Sequence, residues 1–216
     1  MTNRPFGDDV IFTQRLLRSS GFYSAKIDGV WGPKTDAALA RFNDVFEQIA
    51  KALGRFDAAS EGRIHTLQPA AQKLARRTLK IILDAGINAR IISGARSYAE
   101  QDKLFSQGRS GHKGPIVTNA RGGQSNHNFG IAWDIGIFDK SGKYLSNSPL
   151  YAEAGRKVMS AHISGLEWGG NWTTFKDTPH YQVATGLSIS QVRRRFETGK
   201  AIVRQISEEN RDASDK

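Results

Sequence analysis

The chain has 216 residues, with 31 Lys+Arg against 21 Asp+Glu and no cysteine. An apolar fraction of 38% beside 24% charged residues excludes wholesale disorder. The missing cysteine removes disulfides, iron–sulfur clusters, thiolate zinc fingers and cysteine nucleophiles together, so any metal must be held by His, Asp, Glu or backbone oxygen.

In chain order, Val10, Gln14 and Leu17 recur at helical spacing, and Ser19-Ser20-Gly21 ends that helix. Residues 21–35 are dense in turn formers: Asp28-Gly29 is a turn dipeptide and Pro33 suits a first helical turn. Ala38, Phe42, Val45, Ile49 and Leu53 mark one face of a long helix, and residues 54–60 read as a linker. Leu67, Leu74, Ile81 and Ala85 predict another helix ending at Gly86, and residues 90–94 a short strand. Ser97 and Glu100 have the spacing of a capping box that opens a helix to about Gln107. Residues 108–128 form a long polar, Gly-rich loop, a length that points to function or disorder. Strands are predicted over 132–138, 166–168 and 180–183, with helices over 150–164 and after Ser188, and a frayed polar tail beyond Ser207. Helices and strands mixed without a βαβ rhythm predict an α+β protein. The expectation is a small antiparallel sheet with flanking helices over residues 59–216, preceded by a small helical domain over 1–58.

No run of about 18 apolar residues exists, so no membrane-spanning helix is expected. The first nine residues lack the apolar stretch of a secretory signal, so synthesis in the cytoplasm and delivery by another route are expected. The net charge is +10, and residues 61–190 hold 16 basic and 9 acidic side chains. Such a surface suits an anionic polymer, or serves solubility alone. The basic residues are scattered with no aromatic-interleaved motif, so no nucleic-acid partner is expected.

Two of the five histidines have unusual neighbours. His127 lies in Ser125-Asn-His-Asn-Phe-Gly-Ile-Ala-Trp-Asp134, and His180 in Asp177-Thr-Pro-His-Tyr-Gln182. Asp134 interrupts an otherwise apolar strand, and a buried carboxylate requires a partner. That partner is either a metal shared with His127 and His180 or an arginine, with the two histidines left as surface groups. Asp177 is a candidate proton carrier or a simple turn former. Arg96 is a candidate oxyanion partner or a surface cation, and Glu167 a rival base or a brace for a ligand. His65, His112 and His162 have no such company.

Ser93-Gly-Ala-Arg96, Ser125-x-His127-x-x-Gly130-x-Ala132-x-Asp134, Trp168-Gly-Gly-x-Trp172 and Asp177-x-x-His180, in that order, resemble the zinc peptidases of the M15 family. With the segment 117–130, they look most like its phage-endolysin branch of L-alanyl-D-glutamate endopeptidases. The resemblance covers residues 65–185. It implies Zn2+ held by His127, Asp134 and His180, Asp177 as acid/base and Arg96 as the stabilising arginine. It further implies a substrate-binding face of Ser125, Gln101 and Trp168. The front segment, through Gln14-x-x-Leu17 and Ile27-Asp-Gly-x-Trp-Gly-x-x-Thr35, is similar to three-helix peptidoglycan-binding domains. Asp28, Gly29, Trp31 and Gly32 are then the wall-binding residues, or the segment is a hairpin that buttresses the enzyme. The resemblance thus implies an endolysin that hydrolyses the L-Ala–D-Glu bond of wall stem peptides through metal-activated water. It would act as a monomer after release by a phage holin-type pore, or by a secretion machine. D-Ala–D-Ala or D-Ala–diaminopimelate cleavage, and non-enzymatic wall binding, are the alternatives.

Overall fold

The computed structural model describes residues 9–109 and 111–203. Helix α1 (Val10–Ser19) opens on Asp9, whose carboxylate accepts the Phe12 amide at 2.9 Å. Pro33 starts α2 (Pro33–Leu53), where a missing N–H costs nothing, and Gly54 ends it with φ 90°. The predicted linker is shorter than expected. Asp57 accepts from the Ala59 and Ser60 amides and starts α3 (Ala58–His65) inside it. The next predicted helix is correspondingly divided, with α4 (Pro69–Asp84) beginning at its own proline. The capping box Ser97/Glu100 forms as predicted at the head of α5 (Tyr98–Ser106). Helix α6 (Leu150–Ser160) stops four residues before its predicted end, and Ser188 caps α7 (Ile189–Glu197). The predicted fraying beyond Ser207 lies outside the described residues.

Four short strands, β1 (Ala89–Ser93), β2 (Ala132–Ile137), β3 (Leu166–Trp168) and β4 (His180–Val183), form one antiparallel sheet in the order β1-β2-β4-β3. Register gives each face its character. Trp133, Tyr181 and Trp168 are paired across β2, β4 and β3 and stack on the core side, with neighbouring ring centroids 6.2 and 6.5 Å apart. Side chains alternate along a strand, so the rows on either side of this one point the opposite way. Those rows are Asp134 opposite His180, and Ala132, Gln182 and Glu167.

Helix α4 lies at the centre, against α2, α3, α6 and strands β1, β2 and β4. The apolar core runs without a break from Phe12, Leu16 and Phe42 in the first two helices to Trp133, Ile135 and Tyr181 in the sheet. A boundary at residue 58 therefore falls within a shared core. Arg76 of α4 reaches across that boundary to the Gly54 carbonyl at 2.7 Å, and the same guanidinium donates both terminal nitrogens to Glu61 of α3 at 2.7 Å. Phe12, Phe196 and Phe129 form an aromatic chain, with centroids 5.5 and 5.4 Å apart, from α1 through α7 to the turn that carries His127.

Candidate metal centre

His127 sits in a 3-10 turn, Asn126–Phe129, held at both ends. Ser125 and Asn128 form a capping box at its start, and Gly130 closes it in the left-handed region at φ 67°. A Cβ on Gly130 would also stand 2.7 Å from Leu16 Cδ1, so both conformation and space demand glycine there. Gln68 clamps the turn from α4's N-terminus: its side chain donates to the Phe129 carbonyl at 2.8 Å and its amide to the Gly130 carbonyl at 2.8 Å. Asp134 and His180 meet because they are directly opposed on β2 and β4.

The three side chains converge. His180 Nδ1 lies 3.1 Å from Asp134 Oδ1, and His127 Nε2 lies 3.3 Å from both of those atoms. The far nitrogens fix the tautomers. His127 Nδ1 donates to the Gly94 carbonyl at 2.8 Å, and His180 Nε2 donates to Gln182 Oε1 at 3.0 Å. The atoms facing one another are therefore two bare imidazole nitrogens and a carboxylate oxygen. Three lone pairs in contact repel unless a cation, or a proton, lies among them. Tetrahedral ligands at zinc-like distances are about 3.3–3.6 Å apart, within a few tenths of an ångström of this spacing. This donor set fits a divalent ion and leaves a fourth direction for water or substrate. Among the described residues, His127, Asp134 and His180 are the group of metal-ligating side chains this close together.

The electrostatics agree. Burial opposes the charge on Asp134, but the two histidines outweigh it and hold the carboxyl well below the usual range. Burial lowers the His127 pKa, whereas for His180 the Asp134 carboxylate outweighs burial and raises it. Arg96 lies 3.7 Å from Asp134 Oδ2, on the side away from the histidines. Its own backbone is stitched to the His127 turn, with its amide on the His127 carbonyl at 3.0 Å and its carbonyl accepting from Asn128 at 3.0 Å. Asp177 is carried by the turn before β4, where Gly169 permits the closest approach: a Cβ there would stand 2.5 Å from the Asp177 carbonyl. Burial raises the Asp177 pKa; His180 and Arg96 act against that shift and Asp134 with it.

The remaining predicted residues serve other contacts. Ser125 caps the His127 turn, with its hydroxyl accepting the His127 amide. Gln101 is buried and donates to the Ala120 carbonyl at 2.9 Å, pinning the loop ahead of the site, while its Oε1 makes no hydrogen bond. Trp168, expected on the substrate face, packs in the core with its indole against Gly155 and Gly170 and donates to the Thr178 carbonyl at 2.9 Å. Trp172 instead faces the centre, its ring 5.1 Å from His180. Glu167 has both oxygens engaged, one accepting from Trp172 Nε1 at 2.6 Å and the other from Gln182 Nε2 at 3.0 Å. Gln182 was not singled out from sequence. Its available signal was an amide two residues beyond His180, on the same face of a predicted strand.

In the N-terminal segment, Gln14 is fully buried and organises the turn at Asp28. Its amide nitrogen donates to Asp28 Oδ1 and the Val30 carbonyl at 3.0 Å, and its oxygen accepts the Asp28 and Gly29 amides at 3.0 Å. Trp31 donates to Asp36 at 2.7 Å and Gly32 precedes α2 in extended conformation. His65 packs on Phe42 and Phe46 and bonds Asn43; His112 and His162 are exposed.

Comparison with known proteins places these features. An M15 peptidase model described as D-alanyl-D-alanine carboxypeptidase matches residues 118–183, and a model described as a peptidoglycan binding domain matches residues 6–47. The chain is 39% identical over 123 residues to the peptidoglycan L-alanyl-D-glutamate endopeptidase CwlK of Bacillus subtilis (strain 168), a span of 54% of this chain and 73% of that protein. It also aligns with the crystal structure of the L-Ala D-Glu endopeptidase ChiX of Serratia marcescens, at 28% identity over 60% of this chain and 89% of that one, with a TM-score of 0.45. With 39% identity over 73% of CwlK, the chain belongs to the M15 peptidase family, with the candidate metal triad inside the segment matched by the peptidase model and a peptidoglycan-binding segment ahead of it.

Proposed function

We propose that this protein is a zinc-dependent L-alanyl-D-glutamate endopeptidase that cuts the stem peptides of peptidoglycan. The reading rests above all on three bare ligand atoms meeting 3.1–3.3 Å apart, in a chain 39% identical to an enzyme of that name. Zn2+ suits a set of two imidazoles and one carboxylate, and when bound it polarises the scissile carbonyl and acidifies water. Asp177 takes the proton of the attacking water and passes it to the leaving amine. The new C–O bond forms as the C–N bond breaks, leaving a carboxylate and a free amino group. Among the described residues the Asp177 carboxylate makes no hydrogen bond, and its raised pKa makes it the stronger base. Arg96 directs its guanidinium, whose Nε has no protein partner, towards the charge that gathers on the carbonyl oxygen. Ser125 and Gln101 shape the substrate face by fixing the His127 turn and the loop before it.

Residues 1–58 act as the wall-binding part, with Asp28, Gly29, Trp31 and Gly32 on its turn. In this reading the enzyme works as a monomer on the wall, reached through a holin-type pore, and without nucleic acid. The description of the matching family model favours D-Ala–D-Ala cleavage as the second reading. Digestion of purified peptidoglycan followed by mass spectrometry of the muropeptides separates them. New D-Glu amino termini are expected, whereas release of terminal D-Ala alone would overturn the endopeptidase reading. Asp177→Ala should keep its metal and lose about 10²–10⁴-fold in kcat.

A further inference from the structure

His180 has a second hydrogen-bonded layer that ends in Glu167, and both carboxylate oxygens of Glu167 act on the same histidine. Glu167 is paired with Gln182 across β3 and β4, and Gln182 follows His180 on one strand face. Glu167 Oε2 accepts from Gln182 Nε2 at 3.0 Å, which leaves Gln182 Oε1 as the end of the amide that faces His180. Asn126 Nδ2 donates to the same Oε1 at 2.8 Å and secures that orientation from the His127 turn. His180 Nε2 must then carry the proton, and Nδ1 is left bare towards Asp134 and His127. The other oxygen, Oε1, holds the Trp172 indole N–H at 2.6 Å, and that ring lies 5.1 Å from the imidazole.

We infer that Glu167 is a positioning residue which, through Gln182 and Trp172, fixes the tautomer and orientation of His180 for metal binding. The inference builds on the metal-centre reading. A carboxylate is required because two donors must be received at once. A glutamine at 167 has one acceptor and one donor, so it meets either Trp172 or Gln182 donor to donor. If it meets Gln182, that amide turns and presents its own N–H groups to His180 and Asn126. Exchanging the two residues removes the conflict. With Glu167→Gln and Gln182→Glu together, Gln at 167 accepts from Trp172 and donates to Glu at 182, which accepts from His180 and Asn126.

The test measures Zn2+ affinity by competition with a chromophoric chelator, beside thermal unfolding of each metal-free variant. Second-layer partners of a ligating histidine are worth about 10–100-fold in metal affinity. Gln182→Leu and Glu167→Gln should both weaken Zn2+ binding within that range, and the double variant E167Q/Q182E should recover most of the loss. Glu167→Gln keeps the side chain's shape, so the metal-free variant should still unfold cooperatively, at a temperature lowered by the donor–donor conflict and regained in the double variant. Single variants that bind as tightly as wild type, or a double variant no tighter than E167Q, would overturn the relay and leave the metal-centre reading intact. Wild-type protein that binds no Zn2+ would overturn both.

Discussion

Two polar clusters, one in each part of the molecule, are built alike and end differently. At the N-terminal turn, Gln14 is buried and every hydrogen-bonding atom of its amide meets an opposite partner within Asp28–Val30. At the candidate metal centre, His127 and His180 are braced from behind by the Gly94 carbonyl and Gln182, but the atoms that they and Asp134 present to one another are all acceptors. The first cluster is closed and needs nothing further. The second is complete only when a cation, or a proton, lies among them. A polar cluster is thus read by what its partners leave over, because a buried lone pair facing another lone pair is a cost that a bound cation or proton must remove.

Breaking the open cluster should have the largest effect. His127→Ala removes a ligand and leaves Gly94's carbonyl without its donor, so the purified protein should hold no stoichiometric metal and digest peptidoglycan only at background. Elemental analysis and a turbidity assay check this, and a variant with full metal content would mean the triad is not the site.

The buried ion pair just beyond the boundary at residue 58 comes next. Glu61→Ala strands the fully buried Arg76, a loss of about 3–5 kcal/mol in urea unfolding. The same pair sets a pH limb. Burial opposes the Glu61 charge, but Arg76 outweighs it and holds the pKa below the ordinary 4.5. A depressed carboxyl contributes stability that is present above about 4.5 and is lost as pH falls through the lower folded value. Unfolding of the wild type should therefore steepen below that pH, and Glu61→Gln should flatten the limb.

The closed cluster should yield least. Gln14→Leu leaves the Asp28 and Gly29 amides and the Val30 carbonyl unpaired, a loss of about 1–3 kcal/mol. Metal content should be unchanged, while co-sedimentation with insoluble peptidoglycan should fall. An equal loss of metal would show that the turn acts on the centre through the shared core.

Much of the fold was legible because its signals are local. The Ser97/Glu100 and Ser188/Gln191 caps, the proline at the head of α2 and the strands around Asp134 and His180 are each decided within a few residues. The linker was misplaced because Asp57 is both a loop former and a helix cap, and only packing of α3 against β1 and α4 selects the cap. The candidate triad stood out in the sequence as a motif, and only the fold shows its side chains converging. Trp168 and Trp172 carry the same sequence signal, yet strand register sends Trp168 into the core, while Trp172, just past the 3-10 turn at Gly169–Asn171, lies towards His180.

The sequence by itself determined the helix and strand types, the absence of thiol chemistry and the three residue types able to hold a cation. Tertiary structure decided that the N-terminal helices share a core with the sheet, and that Glu167 is bonded to Gln182, whose other amide end faces His180. The reason is range. Caps and periodicity are settled over three or four residues, whereas a lone pair 53 residues away along the chain becomes a neighbour only when β2 and β4 pair and the turn at Gly130 closes.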